Sequence, residues 1–201
     1  MDVFEAIKKR RSIRSYKPDP IPEKVMGKLL TAMKLAPSGH NFQPYKFIIV
    51  RDIETKNKIA LSCRYLPKKP KGLAFVAEAP VVIVACGIEK NSTARFYKNG
   101  ETILTVGRDV PAEIDRTDIY YQDLMETDVA IAIDHLTLAA VEEGLGTCWI
   151  AGLVEPEIAE ILSVPPDVRV LFVVSIGYPT AWPEPRPRKQ LEEIVCYEKY
   201  N

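Results

Sequence analysis

Cysteine and histidine are scarce: four of one and two of the other in 201 residues, with no Cys-x-x-Cys pair. Cys63, Cys86, Cys148 and Cys196 lie too far apart to write an iron–sulfur run or a zinc knuckle locally, so no metal site is expected and each thiol reads as a small hydrophobe. Charge of one sign is lacking too, since 27 Lys plus Arg balance 27 Asp plus Glu. No global field then draws the chain to nucleic acid or an anionic membrane, and any positive site has to be local. The apolar runs are too short and too interrupted to span a bilayer. Met1 to Glu5 leads into a basic stretch at Lys8 with no apolar segment before it, so no secretory leader is expected and the cytoplasm is the expected location. Neither Gly-x-Gly-x-x-Gly nor Gly-x-x-x-x-Gly-Lys-Ser/Thr occurs. Gly144-Leu145-Gly146 lacks a third glycine and follows a helical pattern, which argues against a Rossmann nucleotide site.

What is present suits one domain over residues 1–201, with 47% hydrophobic residues to fill a core and no internal repeat. Asp2 and Glu5 have capping-box spacing for a first helix with Val3, Phe4 and Ile7 on its apolar face. Pro22 opens a second, in which Val25, Leu29, Ala32, Met33 and Ala36 recur at helical spacing before Pro37-Ser38-Gly39 ends it. Phe47 to Val50 reads as a strand, Ile53 to Cys63 as a helix, and Pro80 to Gly87 as a buried strand. Residues 89–120 are polar and weakly patterned, the kind of long insert that often covers a site. Asp128 to Glu143 is apolar on nearly every side, as the core's central helix should be. Thr147 to Ala151 is a strand, Pro156 starts a short helix ending near Leu162, and Val168 to Ile176 is the strongest strand. Helices and strands interleave without regular βαβ alternation, which predicts an α+β layer fold.

Pro179, Pro183, Pro185 and Pro187 force an extended path onto the last part of the chain. Such a tail needs a surface, either a partner subunit or its own chain. The partner is the expected one.

The densest charge feature is Lys8-Lys9-Arg10-Arg11-Ser12-Ile13-Arg14, where the first helix gives way to a proline-broken loop. Arginine forks match a phosphate bidentately and Ser12 adds a hydroxyl, so a phosphorylated ligand is one counter-charge; a solvated basic face is the other reading.

Three further segments decide between them. Arg-Arg-Ser-Ile-Arg-Ser-Tyr (10–16), Ala-Pro-Ser-Gly-His-Asn-Phe-Gln-Pro (36–44), Gly-Leu-Gly-Thr-Cys-Trp-Ile-Ala-Gly (144–152) and Pro-Arg-Lys-Gln-Leu-Glu-Glu-Ile-Val (187–195) stand in order along the chain. In these motifs the sequence resembles the nitroreductase family of FMN enzymes. The resemblance implies a mostly antiparallel sheet flanked by helices, in a homodimer that binds noncovalent FMN at its interface and whose C-terminal tail embraces the partner. It implies NADH or NADPH as donor and a small-molecule acceptor such as a nitroaromatic or quinone; with no separate nucleotide fold in the chain, donor and acceptor must share one opening, which predicts a ping-pong mechanism. By family position Arg10, Arg11, Ser12 and Arg14 contact the flavin from one subunit, joined by Arg188 at the phosphate. Ser38, Asn41 and Gln43 approach from the other, and the backbone at Ile150, Ala151 and Gly152 lies beside the ring. A cation such as Arg14 near N1 would stabilise the reduced ring, and no protein nucleophile is needed.

Other readings stand beside these. Asn41 and Gln43 also suit loop backbone satisfaction, Trp149 suits packing, and His135 suits a hydrogen-bonded core position outside the site. Many relatives carry an amide near the flavin edge where this chain has Pro67-Lys68-Lys69-Pro70-Lys71, so a lysine there is a candidate contact. A reductive dehalogenase, a flavin-fragmenting enzyme and a non-catalytic FMN-binding module are the alternative functions.

Overall fold

Val- and Ile-rich runs form the centre of the molecule in the computed structural model, which describes residues 1–64, 72–98, 101–106 and 120–200. Strands β1 (Tyr45–Val50), β2 (Val81–Ile88), β6 (Gly146–Ile150) and β7 (Val168–Gly177) make one sheet in the order β1-β2-β7-β6, and all three strand pairings are antiparallel. Its two central strands are apolar almost throughout because both faces are covered. Alternation along β2 sends Val81, Ile83 and Ala85 into one core and Val82, Val84 and Cys86 into another.

Helices α2 (Glu23–Lys34) and α5 (Met125–Glu142) cover the first face. Met26, Leu29 and Met33 from α2 pack there with Val129, Ala132, Ile133, Leu136 and Ala140 from α5. Each Met, Leu, Ile or Val side chain among them, once fully buried, contributes about 1.5–3 kcal/mol. Helices α3 (Ile53–Ser62), α4 (Phe75–Glu78) and α6 (Glu155–Leu162) cover the other face through Ile59, Val76 and Ile158. The result is the expected α+β layering, with α5 as the central helix. Among the described residues, no helix is long and apolar enough to cross a membrane.

Three sequence expectations need correction. The stretch 89–120 is not without regular structure: β3 (Thr93–Lys98), β4 (Glu101–Val106) and β5 (Tyr120–Asp123) form a second antiparallel sheet in the order β4-β3-β5. Asn99-Gly100, between β3 and β4 in sequence, is itself a hairpin signal, obscured by the polar residues around it. Residues 107–119 of that stretch lie outside the described residues. Next, α1 (Val3–Lys9) is capped by Asp2 on the Glu5 N–H as expected, yet it buries only Ala6, leaving Val3, Phe4 and Ile7 exposed. Lastly, α5 starts at Met125, three residues before the expected Asp128, after a Leu124 that makes no side-chain cap, and it ends at Glu142.

The tail follows strand β7. Its root lies on its own chain: Lys17 N–H donates to the Tyr178 carbonyl (2.8 Å), Thr180 N–H to the Ser15 carbonyl (3.2 Å), and Tyr16 bridges Pro179. From Pro183 to Tyr200 every residue is exposed.

Candidate functional site

The basic arm that follows α1 is fixed by its apolar residues. Ile13, 1% exposed, sits against Gly146 so closely that a Cβ on that glycine would overlap the Ile13 side chain. Its N–H donates to the Thr147 carbonyl (2.9 Å), and Ser12 makes a parallel bridge with Thr147. Buried Tyr16 donates its hydroxyl to the Ile13 carbonyl (2.7 Å) and shares a hydrogen bond with the Ser175 hydroxyl (2.7 Å). Burial pushes that phenol well above its ordinary value, so it remains a neutral donor. These anchors hold the arm on strands β6 and β7 and turn its polar side chains outward.

Between the arm and the tail lies a cleft of about 480 Å³, lined by Lys8, Arg10, Arg11, Ser12, Arg14, Arg186 and Arg188 together with Ile7 and Pro183 to Pro185. Two segments far apart in sequence thus bring six cations and one carboxylate, Glu184, to a single opening in a chain of zero net charge. Arg11 holds the two walls together: Nη1 donates to the Lys8 (2.7 Å) and Arg10 (2.8 Å) carbonyls and Nε to the Pro183 carbonyl (3.2 Å). The Lys9 ammonium lies 5.5 Å from the centroid of the Trp182 ring and braces the same junction. Arg14 is exposed, with Nη1 3.4 Å from the Ser12 carbonyl.

The second predicted group stands elsewhere. Ser38, Asn41 and Gln43 belong to a tight loop between α2 and β1 in which His40 (φ 49°), Asn41 (φ 57°) and Gln43 (φ 51°) are all left-handed. Ser38 Oγ accepts the Gln43 N–H (2.9 Å), and Gln43 Nε2 donates to the Asn41 carbonyl (3.1 Å) and Oδ1 (3.3 Å). In this chain Asn41 and Gln43 therefore do engage loop groups, as the alternative reading has it. Gly39 N–H donates to Asp128 near the start of α5 (3.1 Å), whereas the basic arm is tied to Thr147 just beyond its end. Since 18 residues of helix span about 27 Å, one chain holds the two groups at opposite ends of α5.

The third group runs along β6 and its exit: Ile150 is buried and paired with Val173, Ala151 is exposed and Gly152 half-buried. Upstream, Trp149 donates its indole N–H to Thr137 (2.8 Å) and packs against Phe172, which fits packing better than a substrate platform. Burial raises the Cys148 thiol and carries Cys63 to about 12 and Cys86 to about 11, so these are inert packing thiols. His135 is half-buried beside α1, in a groove with Met1, Asp2 and Val3, and not in a closed core as expected. Lys68, Lys69 and Lys71 fall outside the described residues.

The sequence motifs give no role to Arg186, Glu184, Tyr16 or Asp128. Arg186 was legible, one proline away from Arg188, and Tyr16 closes the 10–16 motif, though only its contacts with Ile13 and Ser175 show what it does. Glu184 and Asp128 carry no motif, and only tertiary contact reveals them.

Comparison with known proteins places this geometry. The Nitroreductase family model matches residues 7–178. A Thermus thermophilus protein named NADH dehydrogenase is 29% identical, over 98% of this chain and 96% of its own length. A Methanothermobacter thermautotrophicus protein named putative NADH dehydrogenase/NAD(P)H nitroreductase is 30% identical, over 92% and 82%. An iodotyrosine deiodinase of Thermotoga neapolitana is 26% identical, over 99% and 97%. The solved structure of an FMN-dependent nitroreductase from Clostridium difficile superimposes with a TM-score of 0.73 at 26% identity, covering 98% of this chain and 99% of that one. With its arm, loop and β6 motifs all inside the matched span, this chain belongs to the nitroreductase family.

Proposed function

We propose that this chain is an FMN-dependent oxidoreductase, its residues 1–201 forming one domain, that takes electrons from NADH or NADPH and passes them to a small organic acceptor such as a quinone or nitroaromatic. The observation that carries this reading is the cleft in which Arg10, Arg14, Arg186 and Arg188 meet Ser12. That donor set fits a phosphate monoester: several guanidinium forks and a hydroxyl against a doubly charged group. Bound with its phosphate there, FMN supplies hydride acceptance and two-electron storage.

Within that reading, Arg10 and Arg188 hold the phosphate end and Arg11 keeps the arm against the tail. The Arg14 guanidinium favours negative charge on the bound ring, and the backbone at Ile150, Ala151 and Gly152 orients its edge without an ionisable side chain. Ser38, Asn41 and Gln43 act on the cofactor of a partner subunit, because their own chain keeps them the length of α5 from its cleft. A homodimer, with the exposed tail from Pro183 onward lying on the partner, follows from that separation. Donor and acceptor use one opening in turn, which gives ping-pong kinetics.

Arg188→Ala tests the cleft. Loss of a charge-assisted contact should weaken FMN binding by about 1.5–3 kcal/mol. Equal FMN affinity in mutant and parent removes Arg188, and with it the tail wall, from the site.

The deiodinase relative supports a second reading in the same fold, reductive dehalogenation of an aryl halide. Release of iodide from iodotyrosine under turnover with a reductant would favour it over quinone reduction.

A further inference from the structure

The loop 38–43 is built against local preference. Three of its non-glycine residues, His40, Asn41 and Gln43, occupy the left-handed region, where an L side chain costs roughly 1–2 kcal/mol per residue and Asn least. Conformations of this kind persist only where the surroundings over-determine them, and they cluster at functional sites. One latch is internal, the Ser38 hydroxyl on the Gln43 N–H. The other comes from outside the loop. Asp128, 5% exposed in the first turns of α5, accepts the Gly39 N–H at 3.1 Å. Its placement near the positive end of the helix favours the buried carboxylate. Burial first, and then the same charge, raise the Tyr45 phenol at the start of β1 above its ordinary value. Thr93 closes the third side: its Oγ1 lies 3.4 Å from His40 Nδ1 and would stand 3.0 Å from a Cβ on Gly39. A buried carboxylate on the core's central helix thus grips the loop by the backbone at the residue preceding its left-handed run.

We propose that Asp128 is a positioning residue: it holds the loop in the conformation that presents Ser38, Asn41 and Gln43 to the cofactor across the subunit boundary. This rests on the FMN reading given above, while the grip of Asp128 on the loop can be measured without any cofactor.

The test compares the parent with Asp128→Ala, Asp128→Asn and Gly39→Ala as full-length chains. Amide hydrogen exchange is read without FMN, and the FMN dissociation constant by titration. Asp128→Ala should speed exchange at Gly39 to Gln43 by about tenfold or more while the arm 10–14 and strand β2 keep the parent's rates. It should weaken FMN binding by about tenfold or more, the usual consequence of losing a hydrogen bond to a charged group. Asp128→Asn retains an acceptor oxygen and should stay near the parent in both measurements, which a general loss of stability would not allow. Gly39→Ala strikes the same latch from the loop side by crowding Thr93, and it gives the answer if Asp128→Ala does not fold. Unchanged loop exchange, or unchanged FMN affinity in a parent that binds FMN, overturns the proposal. A parent that binds no FMN refutes the cofactor reading, and loop exchange alone then decides whether Asp128 positions the loop.

Discussion

Gly146 and Ile13 show how one missing methyl sets the position of a charged arm. The arm carries Arg10, Arg11, Ser12 and Arg14, yet it is held by an isoleucine that fits only because residue 146 has no Cβ. Gly146→Ala should displace Ile13 and cost about 1–3 kcal/mol, as overpacking of a core does. Because Ile13 also ties the arm to Thr147 and Tyr16, FMN affinity should fall along with the melting temperature. Thermal unfolding and FMN titration of the variant check both, and no change in either would show that the arm is not placed by this contact. The tyrosine above it completes the support, its phenol neutral and shared between the Ile13 carbonyl and the Ser175 hydroxyl.

The elements explain what the sequence could and could not reveal. Strands β1, β2, β6 and β7 were legible because β-branched residues run through them with both faces covered, and α5 because it is apolar all round. The sheet of β3, β4 and β5 was not, since polar residues interrupt its pattern. The left-handed loop was not either: Asn41 tolerates that conformation, but His40 and Gln43 do not announce it, and the Asp128 contact that holds the loop comes from a distant part of the sequence. Two of the four motifs, 10–16 and 187–195, named Arg10, Arg11, Ser12, Arg14 and Arg188 of the cleft in advance, while the support that Tyr16 and Asp128 give lies in tertiary contacts. Helix α6 offers a test at this scale. Glu155, its first residue, accepts from Arg169 Nε (2.6 Å) and Nη2 (2.8 Å) and from the Val170 N–H (3.0 Å), joining α6 to β7. The Arg169 hydrogen bonds hold the Glu155 carboxyl below the ordinary glutamate value of 4.5. A folded value below the unfolded one means that this stabilisation is complete above pH 4.5 and is lost as pH falls through the lower, folded value. Glu155→Gln should therefore flatten the acid limb of the stability curve and leave its neutral-to-alkaline shape unchanged. An acid limb as steep as the parent's would show that the pair does not govern acid unfolding.

At the scale of the whole molecule, the exposed apolar groups set the expectation. Val3, Phe4, Ile7 and Leu35 stand out from α1 and the end of α2, and Leu191, Ile194 and Tyr197 from the tail. In the dimer proposed above, a second copy of the chain covers these side chains and supplies the loop 38–43 to the cleft. Sedimentation should find a dimer at concentrations where FMN is bound, and Phe4→Glu should weaken dimer and cofactor binding together; a monomer that retains FMN would separate the two. The central claim, a flavin bound in the cleft and reduced by a nicotinamide donor, is tested most directly by the visible spectrum of the purified protein during anaerobic titration with NADH and NADPH. The expected result is a yellow protein with stoichiometric FMN whose flavin band bleaches with one or both donors and returns when a quinone or nitroaromatic is added. A protein that stays colourless after incubation with FMN, or whose bound flavin neither donor bleaches, would contradict it.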